Sequence, residues 1–295
     1  MRVTVVTPCL NPGERLERCL DSVAAQTYPD VEHLVVDGGS TDGTVELLER
    51  RGVPFVSEPD EGQTDAIAKG FARAQGDMLT WLNADDELEP SAAELVVSSG
   101  ADWVYGDCVV VEGDRRTIWR PPPRYGPREV EAGEMIPQPG SFFTQDALER
   151  AGGLDTTFDL AMDIDLWVRL VDAGIEARYV PVELAVFEIH AASKTGYIGR
   201  KDFMLEHARA LEKSGRRRAA AAAIGRAAAF GEVPEVPAWA DAQLVRTARS
   251  AELGIERLRR RDPRGIPALL NPQVWLQREV RGRVVAAVRR GLSRA

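Results

Sequence analysis

Three cysteines in 295 residues, at positions 9, 19 and 108, are too few and too scattered for a disulfide framework or a zinc motif. They fit a reducing compartment, the cytoplasm. No uninterrupted apolar run reaches about 18 residues, so no transmembrane helix is expected. The opening "MRVTVVTPCL" is too short and too strand-like for a signal peptide. Basic side chains are scarce in residues 1–200, where 17 Lys and Arg face 36 Asp and Glu, a net of −19. A surface of that sign repels phosphate backbones and argues against nucleic acid as a partner. Residues 201–295 reverse the balance with 20 basic and 10 acidic side chains, a net of +10. The two parts therefore have different tasks or face each other.

The rest is an ordinary globular mixture, 44% hydrophobic and 28% charged, enough for one large domain with an appendage or for two modest ones. "VTVVTP" (3–8) reads as a strand stopped by proline, and "GERLERCLDSVAAQ" as a helix with Leu16, Cys19, Leu20 and Val23 on one face. "EHLVVDGGS" (32–40) is a second strand. It is followed by a helix with Ser40 or Asp42 as N-cap and Gly52 as its stop. "PFVSEP" (54–59), a helix over 64–77 and "MLTWLN" (78–83) continue the alternation. "PSAAELVVSSG" and "DWVYGDCVVVEG" add a helix and a strand. Strands alternating with short helices imply right-handed βαβ units and a mostly parallel sheet. Beyond residue 115 the alternation fades into a proline-rich loop, a short strand and helix over 136–155, and a helix and strand over 163–181. From 201 onward the chain reads as helices rich in Ala and Arg.

Ligands of such sheets sit beyond the C-terminal strand ends. Three of those ends are polar: Thr7 and Pro8 with Asn11, then Asp37, then "NADDE" at 83–87. Three adjacent carboxylates after a buried strand make a solvated turn or a metal site. Sharing one edge with two other polar strand ends favours the second reading.

The runs "TPCLNPGERLERCLDSVAAQTYPDVEHLVVDGGSTDGT" and "SEPDEGQTDAIAKGFARAQGDMLTWLNADD" resemble the family 2 glycosyltransferases of the GT-A fold, motif after motif in the family's order, over residues 3 to about 200. The resemblance implies a Rossmann-like α/β domain over 1–200, with 201–295 as a helical basic extension. It further implies inverting transfer from a nucleotide diphosphate sugar, a UDP-sugar favoured, to an acceptor hydroxyl on a sugar, a lipid-linked sugar or a small molecule. Such chemistry serves polysaccharide or glycoconjugate synthesis and uses Mg²⁺ or Mn²⁺. The chemistry is coherent, because a departing diphosphate gathers charge that a hard cation on carboxylate oxygens can neutralise.

On this resemblance Asp86 matches the metal-bearing Asp and Asp85 a position that meets ribose or sugar. Asn83 stands where some members have another Asp. Thr7 and Pro8 match the floor of the nucleoside pocket, and Asp37 a base or ribose contact; Asp37 also suits a helix-capping role. Many relatives carry a second Asp after it that reads uracil. Gly38 occupies that position here, so the resemblance does not carry the base. Asp65 and Lys69, four apart on a helix, suit a plain ion pair, though in the family this helix covers the nucleotide. "AMDIDLWVRL" resembles the family's EDxDLxxR helix start. It makes Asp163 the base that takes the acceptor proton, with Met162 replacing the usual Glu. Asp165 suits either that motif or support of the helix dipole, and Trp167 suits the core. His190 in "FEIHAASKT" resembles a late metal or diphosphate ligand, with Lys194 near it. Gln138 and Ser141 in "IPQPGSFF" match an acceptor-side loop. Two rivals from other classes are a nucleotidyltransferase and a non-catalytic carbohydrate-binding protein on a transferase fold.

Near the C-terminus Val280, Val284, Val288 and Leu292 form an apolar stripe flanked by Arg281, Arg283, Arg289, Arg290 and Arg294. Such a helix suits an anionic membrane surface, the acidic domain, or a second subunit as a homodimer contact.

Overall fold

The structure is a computed structural model and describes residues 1–190, 193, 200–233, 236–259 and 280. It divides into two compact units: Met1–Arg124 with Ile136–Ser193, and Tyr125–Met135 with Lys194–Ala295.

In the first unit the expected alternation is present. β1 (Val3–Cys9), α1 (Arg15–Ala24), β2 (Val31–Asp37), α2 (Thr44–Arg51), β3 (Phe55–Ser57), α3 (Gln63–Phe71) and β4 (Met78–Trp81) follow one another. β5 (Glu87–Leu88), α4 (Ala92–Ser98), β6 (Trp103–Glu112) and β7 (Arg115–Trp119) come next. After α5 (Pro127–Ala132) of the second unit the chain returns for β8 (Ser141–Thr144), α6 (Gln145–Arg150), α7 (Met162–Asp172) and β9 (Ala177–Ile189). Helix α3 is shorter than the periodicity suggested. After Phe71 the chain turns so that the Gly76 amide can donate to Thr4 Oγ at 2.9 Å, at the start of β1. At α2 neither Ser40 nor Asp42 is the N-cap. Gly43 is, and Asp42 instead accepts from the Thr44 amide at 3.2 Å. Gly52 ends α2 in the left-handed region at φ 63°, as its position suggested.

The nine strands among the described residues share one sheet with the order β3-β2-β1-β4-β8-β6-β9-β5, and β7 lies outside this path on β6. β3, β2, β1 and β4 are mutually parallel, as is β6 with β9. β8 runs antiparallel to both β4 and β6, and β5 antiparallel to β9. The parallel block is buried on both faces: every residue of β1 and of β4 is buried. One face holds Val3, Val5, Cys19, Val23, Met78 and Val104. The other holds an aromatic stack in which Trp167 of α7 lies 6.0 Å from Trp81 and 5.4 Å from Trp103, ring centre to ring centre. Trp81 and Trp167 are thus core residues.

The second unit contains α5, α8 (Arg200–Lys213), α9 (Arg217–Ala227) and α10 (Ala242–Arg259). The alanine run of α9 is buried from Ala219 to Ala223. Small residues let it approach α10 closely: a Cβ on Gly225 would lie 2.3 Å from the Val245 carbonyl oxygen. No helix among the described residues is long and apolar enough to cross a membrane. The basic stripe of 281–294 and Lys194 lie outside the described residues.

Candidate active site

The acidic turn occupies the C-terminal end of β4, and its position follows from two pairings. β4 is buried between β1 and β8, so the chain can leave it only at the sheet edge. It then re-enters the sheet as β5, with Leu88 opposite Ala185 and Glu87 opposite Val186 of β9. This return brings Asp85 and Asp86 against the last residues of β9.

The two carboxylates face different surroundings. Asp86 is 1% exposed. Its Oδ1 accepts the Glu188 amide at 3.2 Å and its Oδ2 accepts the Asn83 side-chain amide at 3.1 Å. Burial, with Asp85 next to it, pushes its carboxyl well above the usual range. Asp85 is half-buried, and its Oδ2 meets His190 Nε2 at 2.9 Å. His190 is fixed in turn by its own amide, which donates to Ser193 Oγ at 3.0 Å. Asp86, read from sequence as the metal ligand, thus lies behind the surface, while Asp85 and His190 form its accessible pair. Arg18 on α1 bridges this region by pairing with Glu87 and Glu188.

Asp37 is fully buried, and the turn after β2 saturates it. Ser57 Oγ donates to it at 2.6 Å, the Gly39 amide at 3.2 Å and the Ser40 amide at 3.1 Å. Asp37 therefore holds the turn after β2 and caps no helix, since α2 begins at Thr44 with Gly43 as its N-cap. Thr7 is also fully buried, its hydroxyl 2.9 Å from His33 Nε2. Pro8 is buried beside it, paired with Val36. The loops after β1 and β2 are tied together at the edge. Asn11 takes a left-handed φ of 49°, its side chain accepts the Thr41 amide at 2.8 Å, and its own amide donates to Ser40 Oγ at 2.7 Å.

Burial draws the His33 imidazole down to about 4 from 6.5. A lowered folded pKa means that between pH 6.5 and 4 the unfolded chain binds a proton that the folded chain refuses. His33 therefore removes stability as pH falls through that window, by up to about 3 kcal/mol. Thermal melts of His33→Gln should show a shallower loss of Tm from pH 7 to pH 4 than the parent. Equal slopes would assign the acid sensitivity to other groups.

Asp65 and Lys69 pair with each other at 2.9 Å. Each also holds the loop before α3: Asp65 accepts the Glu61 amide at 3.0 Å, and Lys69 donates to the Pro59 carbonyl at 2.9 Å. Gln63, the first residue of α3, reaches the acidic turn through Asn83 Oδ1 at 2.6 Å. The next residue, Thr64, bonds the Phe158 carbonyl at 2.6 Å and so ties the α7 approach to the same edge. Asp163 sits in the first turn of α7, half-buried, with Oδ1 accepting the Ile164 amide at 2.8 Å. Asp165 is 2% exposed and paired with Arg169 at 2.7 Å. Gln138 donates to the Trp81 carbonyl at 2.7 Å, and the buried Ser141 hydroxyl accepts from Trp103 Nε1 at 3.1 Å.

Sequence reasoning missed Gln63, Arg18 and the Glu188 amide, which act through pairings that only the folded sheet creates.

A family model described as glycosyl transferase family 2 matches residues 4–157. The chain belongs to that family. It is a glycosyltransferase. An uncharacterized glycosyltransferase of Mycobacterium tuberculosis is 34% identical over 180 residues, 57% of this chain and 68% of that protein. The PGL/p-HBAD biosynthesis glycosyltransferase of the same species is 35% identical over 119 residues, and the match spans 36% of this chain and 46% of that one. Staphylococcus aureus TarS 1-349, solved with UDP-GlcNAc, superposes over 99% of this chain and 92% of its own, with a TM-score of 0.58 at 17% identity. The mannosyltransferase PcManGT from Pyrobaculum calidifontis, solved with GDP-Man and Mn²⁺, covers 99% and 87%, with a TM-score of 0.53 at 20% identity. These two likenesses establish the GT-A fold, a mixed α/β sheet flanked by helices.

Proposed function

We propose that this chain transfers a sugar from a nucleotide diphosphate sugar, with UDP-sugar favoured, to an acceptor hydroxyl with inversion at the anomeric carbon. The accessible Asp85–His190 pair at the end of β4 carries this reading, with Asp163 on the α7 turn that is tied to the same edge. The donor set suits Mg²⁺ or Mn²⁺. A carboxylate and an imidazole are available side by side, and such ions commonly take their remaining ligands from substrate phosphates and water. Asp85 and His190 would hold it, where it would neutralise charge on the departing diphosphate. Asp86 sits behind them, its hydrogen bonds fixing the turn against β9. Asp163 takes the proton from the acceptor hydroxyl as that oxygen attacks. The Asn11, Asp37 and Ser40 network holds the loops after β1 and β2, the nucleoside end of the site. Asp65 and Lys69 brace its third wall.

TarS was solved with a UDP-sugar and PcManGT with a GDP-sugar and Mn²⁺, which supports a nucleotide-sugar donor here. The free, buried thiols of Cys9, Cys19 and Cys108 suit the reducing cytoplasm. A polysaccharide or glycoconjugate acceptor remains the expectation. Incubating the chain with a panel of nucleotide sugars, with and without Mn²⁺, tests the reading. Cation-dependent release of nucleoside diphosphate is the expected result. Release or consumption of pyrophosphate would mark a nucleotidyltransferase. No turnover with any donor, alongside tight sugar binding, would mark a non-catalytic binding protein.

A further inference from the structure

Gln63 and Asn83 form a chain of side-chain amides that ends on Asp86. Gln63 Nε2 donates to Asn83 Oδ1 at 2.6 Å, and Asn83 Nδ2 donates to Asp86 Oδ2 at 3.1 Å. The other oxygen of Asp86 accepts the Glu188 amide of β9 at 3.2 Å. An amide side chain presents an acceptor at one end and donors at the other. The two ends match in shape, so the partners decide which way the group faces. Asp86 accepts at both oxygens and therefore needs the donor end of Asn83. That orientation is satisfied only if a donor stands on the far side of Asn83, and Gln63 supplies it.

This donor is held in place. Gln63 is the first residue of α3 and half-buried, and the two residues after it fix that turn. The buried Thr64 hydroxyl donates to the Phe158 carbonyl at 2.6 Å, and Asp65 accepts the Glu61 amide at 3.0 Å. The acidic turn is closed by the Asp86 amide, which donates to the Asn83 carbonyl at 3.0 Å, so Asp85 and Asp86 form one unit. β5 pairs Glu87 and Leu88 with β9, and the bond from Glu188 to Asp86 carries that pairing on toward His190. His190 then meets Asp85 at 2.9 Å. The bond at Asp86 sets the spacing of the Asp85–His190 pair, and the direction of the amide chain that supports it is set at Gln63.

We propose that Gln63 is a positioning residue for the Asp85–His190 pair, acting through the direction of the amide chain and touching neither cation nor donor. The inference rests on the cation reading above. Losing a partner that orients ligand side chains commonly lowers metal affinity by about 10–100-fold. Gln63→Glu keeps the size of the side chain and removes its donor. The new carboxylate draws the donor end of Asn83 toward itself, and the acceptor end then faces Asp86 Oδ2. The bond between Asn83 and Asp86 is lost, and the turn loosens from β9. Adding Asp86→Asn reverses the whole chain. An amide at position 86 can donate to Asn83 Oδ1 and still accept the Glu188 amide. A residue that only filled space would show no such recovery.

Two measurements test this: NMR hydrogen exchange of the Glu188 amide in the cation-free chain, and Mn²⁺ titration in the presence of UDP. Gln63→Glu should speed exchange at Glu188 by about 10-fold and weaken Mn²⁺ by about 10–100-fold. The double variant Gln63→Glu with Asp86→Asn should return both close to the parent. It also keeps the test decisive if Gln63→Glu alone folds poorly, because recovery is read in a second chain. Parental exchange at Glu188 in Gln63→Glu, or fast exchange persisting in a double variant of parental Tm, would overturn the role of Gln63. Slow exchange regained without Mn²⁺ binding would uphold the chain from Gln63 to β9 and overturn the cation reading instead, since the ion would then need the Asp86 carboxylate.

Discussion

Asp163→Asn should lower kcat by about 10²–10⁴-fold while leaving the affinity for the nucleotide donor nearly unchanged. The asparagine keeps the shape of the side chain and can still accept the Ile164 amide, so the first turn of α7 stays formed. What it loses is the capacity to take a proton. Asp163 stands in the first turn of α7, where the helix N-terminus favours a negative charge. Its neighbour Met162 is buried and offers no proton acceptor in its place. A base contributes only as the acceptor oxygen begins to bond, so the loss appears in kcat. Steady-state kinetics with calorimetric donor binding would check it. Lost donor affinity with normal kcat would move Asp163 into the donor pocket.

The sheet edge that gathers the candidate residues was legible because the local rules and the fold agree. β1 to β4 alternate with helices, and a parallel sheet leaves its loops at one edge, so Thr7, Asp37 and Asp85 had to be neighbours. Periodicity could not show which way each polar side chain faces. Asp37 and Asp86 look alike in sequence; both are buried, Asp37 bonded within its own turn and Asp86 to Asn83 and to the Glu188 amide of β9. The antiparallel pairings were also hidden. β5 has two residues, too few for a pattern, and β8, legible as a short strand, pairs with partners distant in sequence. It is β5 that folds the acidic turn back onto β9 and so brings Asp85 to His190.

Asp85→Ala should abolish the cation dependence of nucleotide binding and lower turnover by about 10³-fold, equivalent to the several kcal/mol a bound cation contributes. The side chain is 27% exposed and pairs with the His190 imidazole at 2.9 Å, so the fold and the Tm should survive. His190→Ala should weaken Mn²⁺ in the same direction, because it removes the other accessible donor of the pair. Asp86→Ala should behave differently. It strips the acceptor from the Glu188 amide and from the Asn83 side chain in a buried setting, at about 1–3 kcal/mol for each group left unpaired. Its Tm should therefore fall, and turnover should fall with it as the turn loses its register against β9. Thermal melts and Mn²⁺ titrations in the presence of UDP, run on all three variants, separate a donor of the cation from a support of the turn. If Asp86→Ala kept the parental Tm but lost Mn²⁺ binding, while Asp85→Ala retained it, the ion would belong to Asp86. The buried carboxylate would then have to leave its two hydrogen bonds when the donor arrives.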